Sequence, residues 1–144
     1  MGVRTAQRDD AYKNNNRNDE IYSDFNHTFV PHPNTGQIGK KVNVDAVKLS
    51  LRNLLLTNKY ERVRNPEYGT NIRKYLFERF DGVLDDELKI EIEDAVNRFE
   101  PRVRLLDIYI DQRPEENSIY IDIQFAVLTV KEVQNLELTL YRVR

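Results

Sequence analysis

Apolar residues recur along this chain with two different periods, and the change of period divides it. Val44, Val47, Leu51, Leu54 and Leu55 follow helical spacing while Lys48 and Arg52 fall on the other face. This predicts a first helix over about residues 45–57, capped by Asn43 or Asp45. Ile72, Tyr75, Leu76 and Phe80 predict a short second helix over about residues 71–80, with Thr70 as its cap and Asp81-Gly82 as its end. Leu88, Ile92, Ala95, Val96 and Phe99 predict a third, with Asp85 and Asp86 where negative charge favours a helix start and Pro101 as its stop. From there the period is two. Leu106, Ile108 and Ile110 alternate with Asp107, Tyr109 and Asp111. Ile119, Ile121, Ile123, Phe125 and Val127 alternate with Tyr120, Asp122 and Gln124, and Leu136, Leu138 and Leu140 with Glu137, Thr139 and Tyr141. A turn at Arg113-Pro114-Glu115-Glu116-Asn117 separates the first two runs. Short connections between three strands predict an antiparallel meander, and helices followed by strands predict an α+β fold with three helices on one sheet face.

Upstream, the pattern fails in two ways. Residues 1–20 are polar and mixed in charge, with almost no large aliphatics, and predict a flexible tail that cannot bury enough surface to offset its ordering entropy. Residues 21–42 space Tyr22, Phe25, Phe29 and Val30 among Pro31, Pro33, Gly36 and Gly39. That predicts an extended arm with a turn at Pro33-Asn34-Thr35-Gly36. Such an arm can pack on its own domain or reach a neighbouring subunit. Residues 43–144 then form a single α+β domain, a size that suits one core.

Charge changes this picture little. The 22 Lys and Arg against 24 Asp and Glu give a net charge of −2, unlike the basic excess of a nucleic-acid binder. No apolar run reaches the roughly 18 residues that span a bilayer, and the start lacks a signal-peptide core, so a soluble cytoplasmic product with no membrane partner is expected. Absence of cysteine removes disulfides and thiolate chemistry.

Catalytic patterns are scarce. His27 and His32 are five positions apart without tight ligand spacing, none of Ser23, Ser50 and Ser118 sits in a Gly-x-Ser-x-Gly setting, and no P-loop is present. No metal or cofactor is therefore expected. A glycosidase would need two carboxyls flanking a cleft, one with a raised pKa; Glu67, Glu78 and Glu100 are the candidates, each equally readable as a loop or helix-end residue. The last strand is distinctive for another reason. Within residues 136–143 only Glu137 and Arg142 are charged and there is no proline, which protects an edge weakly. The edge is covered by the arm or by a second copy, or it receives a partner's strand.

Three blocks in order carry a resemblance. Ala46-Val47-Lys48-Leu49-Ser50-Leu51-Arg52-Asn53-Leu54-Leu55-Leu56-Thr57 leads to Asn65-Pro66-Glu67-Tyr68-Gly69-Thr70-Asn71-Ile72-Arg73-Lys74-Tyr75-Leu76-Phe77-Glu78, then Phe99-Glu100-Pro101-Arg102 and the meander. Together they resemble the baseplate wedge proteins of contractile-tailed bacteriophages, a family that includes the sheath initiator of type VI secretion systems. The likeness spans about residues 21–144. It departs from the family pattern at Val63 and Arg79, where prolines are common.

The resemblance implies a structural, non-enzymatic subunit in the virion tail baseplate, six copies around the tube. Glu100, Pro101 and Arg102 would dock on the helical core bundle of the wedge. The C-terminal hairpin, with Ile119, Ile121, Ile123, Phe125, Leu136, Leu138 and Leu140, would receive strands of the tail sheath protein. Pro66, Glu67, Tyr68 and Gly69 form the family's loop motif. Tail tube or hub proteins are further candidate partners. A small lysozyme-like cell-wall glycan hydrolase and a tail-tube or tail-completion protein are the alternatives.

Overall fold

The computed structural model describes residues 21–31, 33–78 and 82–142. The tail expected over residues 1–20 lies outside them, as do His32, Phe80 and Asp81. The chain is α+β. A two-stranded hairpin, β1 (Ser23–Phe25) and β2 (Lys40–Val42), is followed by α1 (Val44–Leu56), α2 (Ile72–Tyr75) and α3 (Gly82–Phe99). The antiparallel meander β3 (Val103–Arg113), β4 (Ser118–Val127) and β5 (Val130–Tyr141) completes it.

The helical stripes meet the inner face of the sheet. Val47, Leu51, Leu54 and Leu55 from α1 and Leu84, Leu88, Ile92 and Val96 from α3 bury against Ile119, Ile121, Ile123 and Phe125 of β4 and Leu136, Leu138 and Leu140 of β5. Burying side chains of this size contributes about 1.5–3 kcal/mol each, so this layer is the main source of stability.

Several local expectations shift. Asn43 stands at the cap position of α1, but its side chain makes no capping bond. Its Oδ1 instead accepts from the backbone N–H groups of Ile21 and Tyr22, at 3.0 and 3.4 Å, tying the arm to the helix start. Thr70 does not cap α2 either. Its hydroxyl donates to Leu55 O at 2.7 Å, and Asn71 takes the cap position. The second helix is four residues, not ten, and its bonds relax to the tighter i→i+3 pattern at Leu76, Phe77 and Glu78. The third begins at Gly82, because Leu84 extends the Leu88–Ile92 stripe one turn back; Asp85 still lies in the first turn.

Two bulges disturb the meander. In β3 the register slips between Leu105 and Asp107, which turns Leu106 out to solvent while Ile108 and Ile110 stay buried. In β5 Ala126 pairs with Val133 but Val127 with Val130, so the strand starts six residues before Leu136 and closes on β4 through the two-residue turn Leu128-Thr129. The arm is a hairpin rather than a simple extended segment, with a further bridge between Pro31 and Ile38 and its turn at Gly36 in a positive φ of 66°.

Candidate docking corner and sheet edge

The corner between α3 and β3 is built by a proline. Helix bonding ends where Glu100 N–H donates to Val96 O at 2.9 Å, Pro101 cannot continue it, and Val103 N–H turns back onto Glu100 O at 3.1 Å. Glu100 is 2% exposed. Its carboxylate accepts from Ser50 Oγ at 2.6 Å, from Arg102 Nη2 at 2.7 Å and from Arg102 Nε. Burial pushes the Glu100 carboxyl up, but the Arg102 fork and the Ser50 hydroxyl outweigh it and hold the group below the ordinary carboxylate range. The same fork raises Arg102. The guanidinium lies 5.1 Å from the Tyr22 ring centroid, and Arg102 O accepts from Leu128 N–H at 3.0 Å.

One residue pair therefore joins α1, the α3–β3 turn, the β4–β5 turn and the arm. Arg102 turns Nε and Nη2 inward onto Glu100, and Pro101 is the exposed residue of this motif. The sequence places Ser50 only within the first resemblance block and Tyr22 only among the spaced apolar residues of the arm; their contacts with Glu100 and Arg102 come from far along the chain.

The loop motif is a clamp. Pro66 O accepts from Tyr60 N–H at 2.7 Å, and Glu67 pairs with Arg98 at 3.5 Å. Tyr68 packs on Phe99 with the rings tilted at 59° and their centroids 5.3 Å apart, and the Arg62 guanidinium lies 3.7 Å from the Tyr68 ring centroid. Gly69 has φ 113°, and a Cβ there would sit 2.3 Å from Thr57 O. Beneath the clamp, Glu91 accepts from Asn71 N–H at 2.8 Å, Lys59 Nζ at 3.2 Å and Tyr75 OH at 3.2 Å. Burial pushes Glu91 up, yet these donors hold it below its ordinary value, while burial and Glu91 push Tyr75 up to about 12.

A cleft of about 370 Å³ opens here, lined by Lys59, Glu67, Tyr75, Glu91 and Arg98 among others. Of the three candidate hydrolase carboxylates only Glu67 borders it; Glu78 is exposed beside Lys74, and Glu100 belongs to the corner. The described residues hold no group of three or more His, Asp or Glu placed to bind a metal.

The strand-addition residues are brought together, but as core. Ile119, Ile121, Ile123, Phe125, Leu136, Leu138 and Leu140 are all at most 8% exposed, and β4 is the middle strand, paired on both sides. No strand can add to β4; the open edge on this side is β5. Arg142 N–H donates to Asn117 O, which fixes the alternation of the β4–β5 ladder. The N–H and C=O groups of Leu136, Leu138 and Leu140 point to β4, and those of Glu137, Thr139 and Tyr141 point away from it. A groove of about 740 Å³ borders the start of this strand, between Ile21, Val42 and Val44 on one side and Val130, Glu132 and Gln134 on the other.

Helices covering one face of a meander, with a proline corner and an open terminal strand, define a small α+β domain of the phage-baseplate type. The chain belongs to the family described as baseplate wedge protein gp25, whose model matches residues 42–132. Over 109 residues it is 26% identical to baseplate wedge protein gp25 of Enterobacteria phage T4, covering 76% of this chain and 82% of that protein. A crystal structure of a putative tail lysozyme from Geobacter sulfurreducens superposes with a TM-score of 0.62 at 27% identity, covering 68% and 89% of the two chains. The anti-feeding prophage baseplate contains a chain of the same fold, with a TM-score of 0.60 at 24% identity over 83% and 84%.

Proposed function

We propose that this baseplate wedge protein is a non-enzymatic adaptor of a contractile tail. It docks on the helical core bundle of the wedge at the Glu100-Pro101-Arg102 corner and templates the first sheath ring along β5. Six copies would then present six such edges around the tube. The observation that carries this reading is the twelve-residue edge strand β5, whose outward groups at Glu137, Thr139 and Tyr141 have no strand beside them among the described residues. An incoming strand satisfies those groups by backbone pairing, which needs no special side chain and resists shear through parallel hydrogen bonds.

A cell-wall hydrolase reading is disfavoured by electrostatics. Of Glu67, Glu78 and Glu100 only Glu67 borders the cleft, so no pair of these candidates flanks it, and Glu100 is held low by its donors where a general acid needs a raised pKa. Cell-wall clearing by the pure chain that disappears in Glu100→Gln would overturn the non-enzymatic part.

Thr139→Pro tests the edge, because it removes an outward donor and leaves the buried leucines in place. Baseplates should assemble normally and sheath growth should stop. Full-length sheaths on Thr139→Pro baseplates would sink strand addition.

A further inference from the structure

The helices cover one face of the meander and, among the described residues, leave the other open. On that open face the register places Asp122 of β4 between Tyr109 of β3 and Glu137 of β5. Asp107 and Asp111 stand at its diagonals on one side, Asn135 and Thr139 on the other. Asp122 thus has carboxylates at three of these neighbouring positions and a cation at none. Glu137 is directly opposite in a pair that lies between the ladder bonds, where facing side chains approach most. Like charges opposed in this way destabilise a sheet. Of the arginines on this face, Arg104 stands opposite Ala126 at its far end, and Arg113 is engaged by Asp111 and Glu116 at 2.9 and 3.8 Å. Asp122 Oδ1 is closed off from solvent and has no hydrogen-bond donor. Tyr120 feels the same field: burial, then Glu137 and Asp122, push its hydroxyl up.

A face with this unrelieved repulsion suits a partner that brings the missing cation. We propose that the open sheet face is a docking surface for another baseplate protein, which seats an arginine side chain between Asp122 and Glu137. Charge complementarity names the occupant. A guanidinium offers a fork of donors to two carboxylates, and the same planar group stacks on a tyrosine such as Tyr109, which is 59% exposed here. Tyrosine and arginine are also the residues in which interface energy concentrates. A phosphate-bearing partner is repelled by the same carboxylates. A metal ion is a poorer fit, since the described residues hold no group of three or more His, Asp or Glu placed to bind one. Neither the α3–β3 corner nor the open backbone of β5 takes part, so this face can act whether or not they do.

The test is co-expression of the full chain with the other proteins of its own baseplate, comparing wild type, Asp122→Asn/Glu137→Gln and Glu137→Arg. The double variant keeps the shape of both side chains and removes their repulsion. Isolated, it should melt about 2–4 °C higher than wild type, yet capture about tenfold less partner. Glu137→Arg should abolish capture, and an Arg→Glu substitution in the captured partner should restore it. Undiminished capture by the double variant, or none by wild type, overturns the proposal. A double variant that melts lower shows that the two carboxylates hold the sheet together, and the proposal fails. It fails too if light scattering shows a wild-type dimer that the double variant breaks, since a second copy then owns the face. A melting temperature that calcium raises in wild type but not in the double variant makes the occupant a metal ion and likewise overturns it.

Discussion

The meander and the arm hairpin use the same antiparallel pairing and reach opposite outcomes. In β4 every second side chain is fully buried beneath two helices, and both neighbours of the strand are supplied by the chain itself. In the arm, three residue pairs leave Phe25 and Phe29 each 63% exposed. Pairing alone does not decide stability; the second layer does. The meander has one within the molecule, and the described part of the arm leaves Phe25 and Phe29 outside it. β5 stands between them, buried on its inner face and open along its outer edge.

Substitutions can break this contrast from the strong end first. Phe125→Ala removes the largest fully buried side chain of β4 and should cost about 3–5 kcal/mol in denaturant unfolding. A cost below 1 kcal/mol would mean the core is not organised around that strand. Gly69→Ala tests the seam that holds α1 and α2 over α3. The positive φ and the approach to Thr57 O should make it about 2–3 kcal/mol destabilising by the same measurement.

Acid should loosen the corner and the clamp together. Glu100 and Glu91 are held below their ordinary value near 4.5, so the folded chain binds fewer protons than the unfolded one. Their contribution is fully present above that value and is lost as pH falls through the lower folded values. The melting temperature should therefore fall on the acid side of about pH 4.5, and Glu100→Gln should flatten that fall. A stability that rose on acidification would contradict the inward fork. The smallest expected effect on folding belongs to Phe25→Ser/Phe29→Ser, within about 0.5 kcal/mol, since nothing is unpacked. A larger loss would place the arm inside the fold rather than outside it.

Much of the layered core was legible in the sequence, because Leu88, Ile92 and Val96 or Ile119, Ile121 and Ile123 repeat at one period without interruption. Bulges hid the rest. An extra residue at Leu106 reverses the parity of inside and outside within β3, and the two-residue slip between Val130 and Val133 breaks the pairing at the start of β5, where residues 130–135 carry no apolar alternation to mark a strand. The corner motif could be located, but not the inward turn of its arginine, which depends on Ser50 and Tyr22 far along the chain. The resemblance points to the C-terminal hairpin, and the apolar residues that mark the hairpin in sequence are those of its buried face. Edge function belongs to the alternate backbone groups, at Glu137, Thr139 and Tyr141, and hydrophobicity does not mark them.

Amide hydrogen exchange resolved along β5, for the chain alone and with its sheath protein, tests the templating claim most directly. In the free chain Glu137, Thr139 and Tyr141 should exchange quickly beside protected Leu136, Leu138 and Leu140, and sheath protein should slow the outward set by at least about tenfold. Outward amides that stay fast in a chain carrying bound sheath protein would contradict strand addition at this edge.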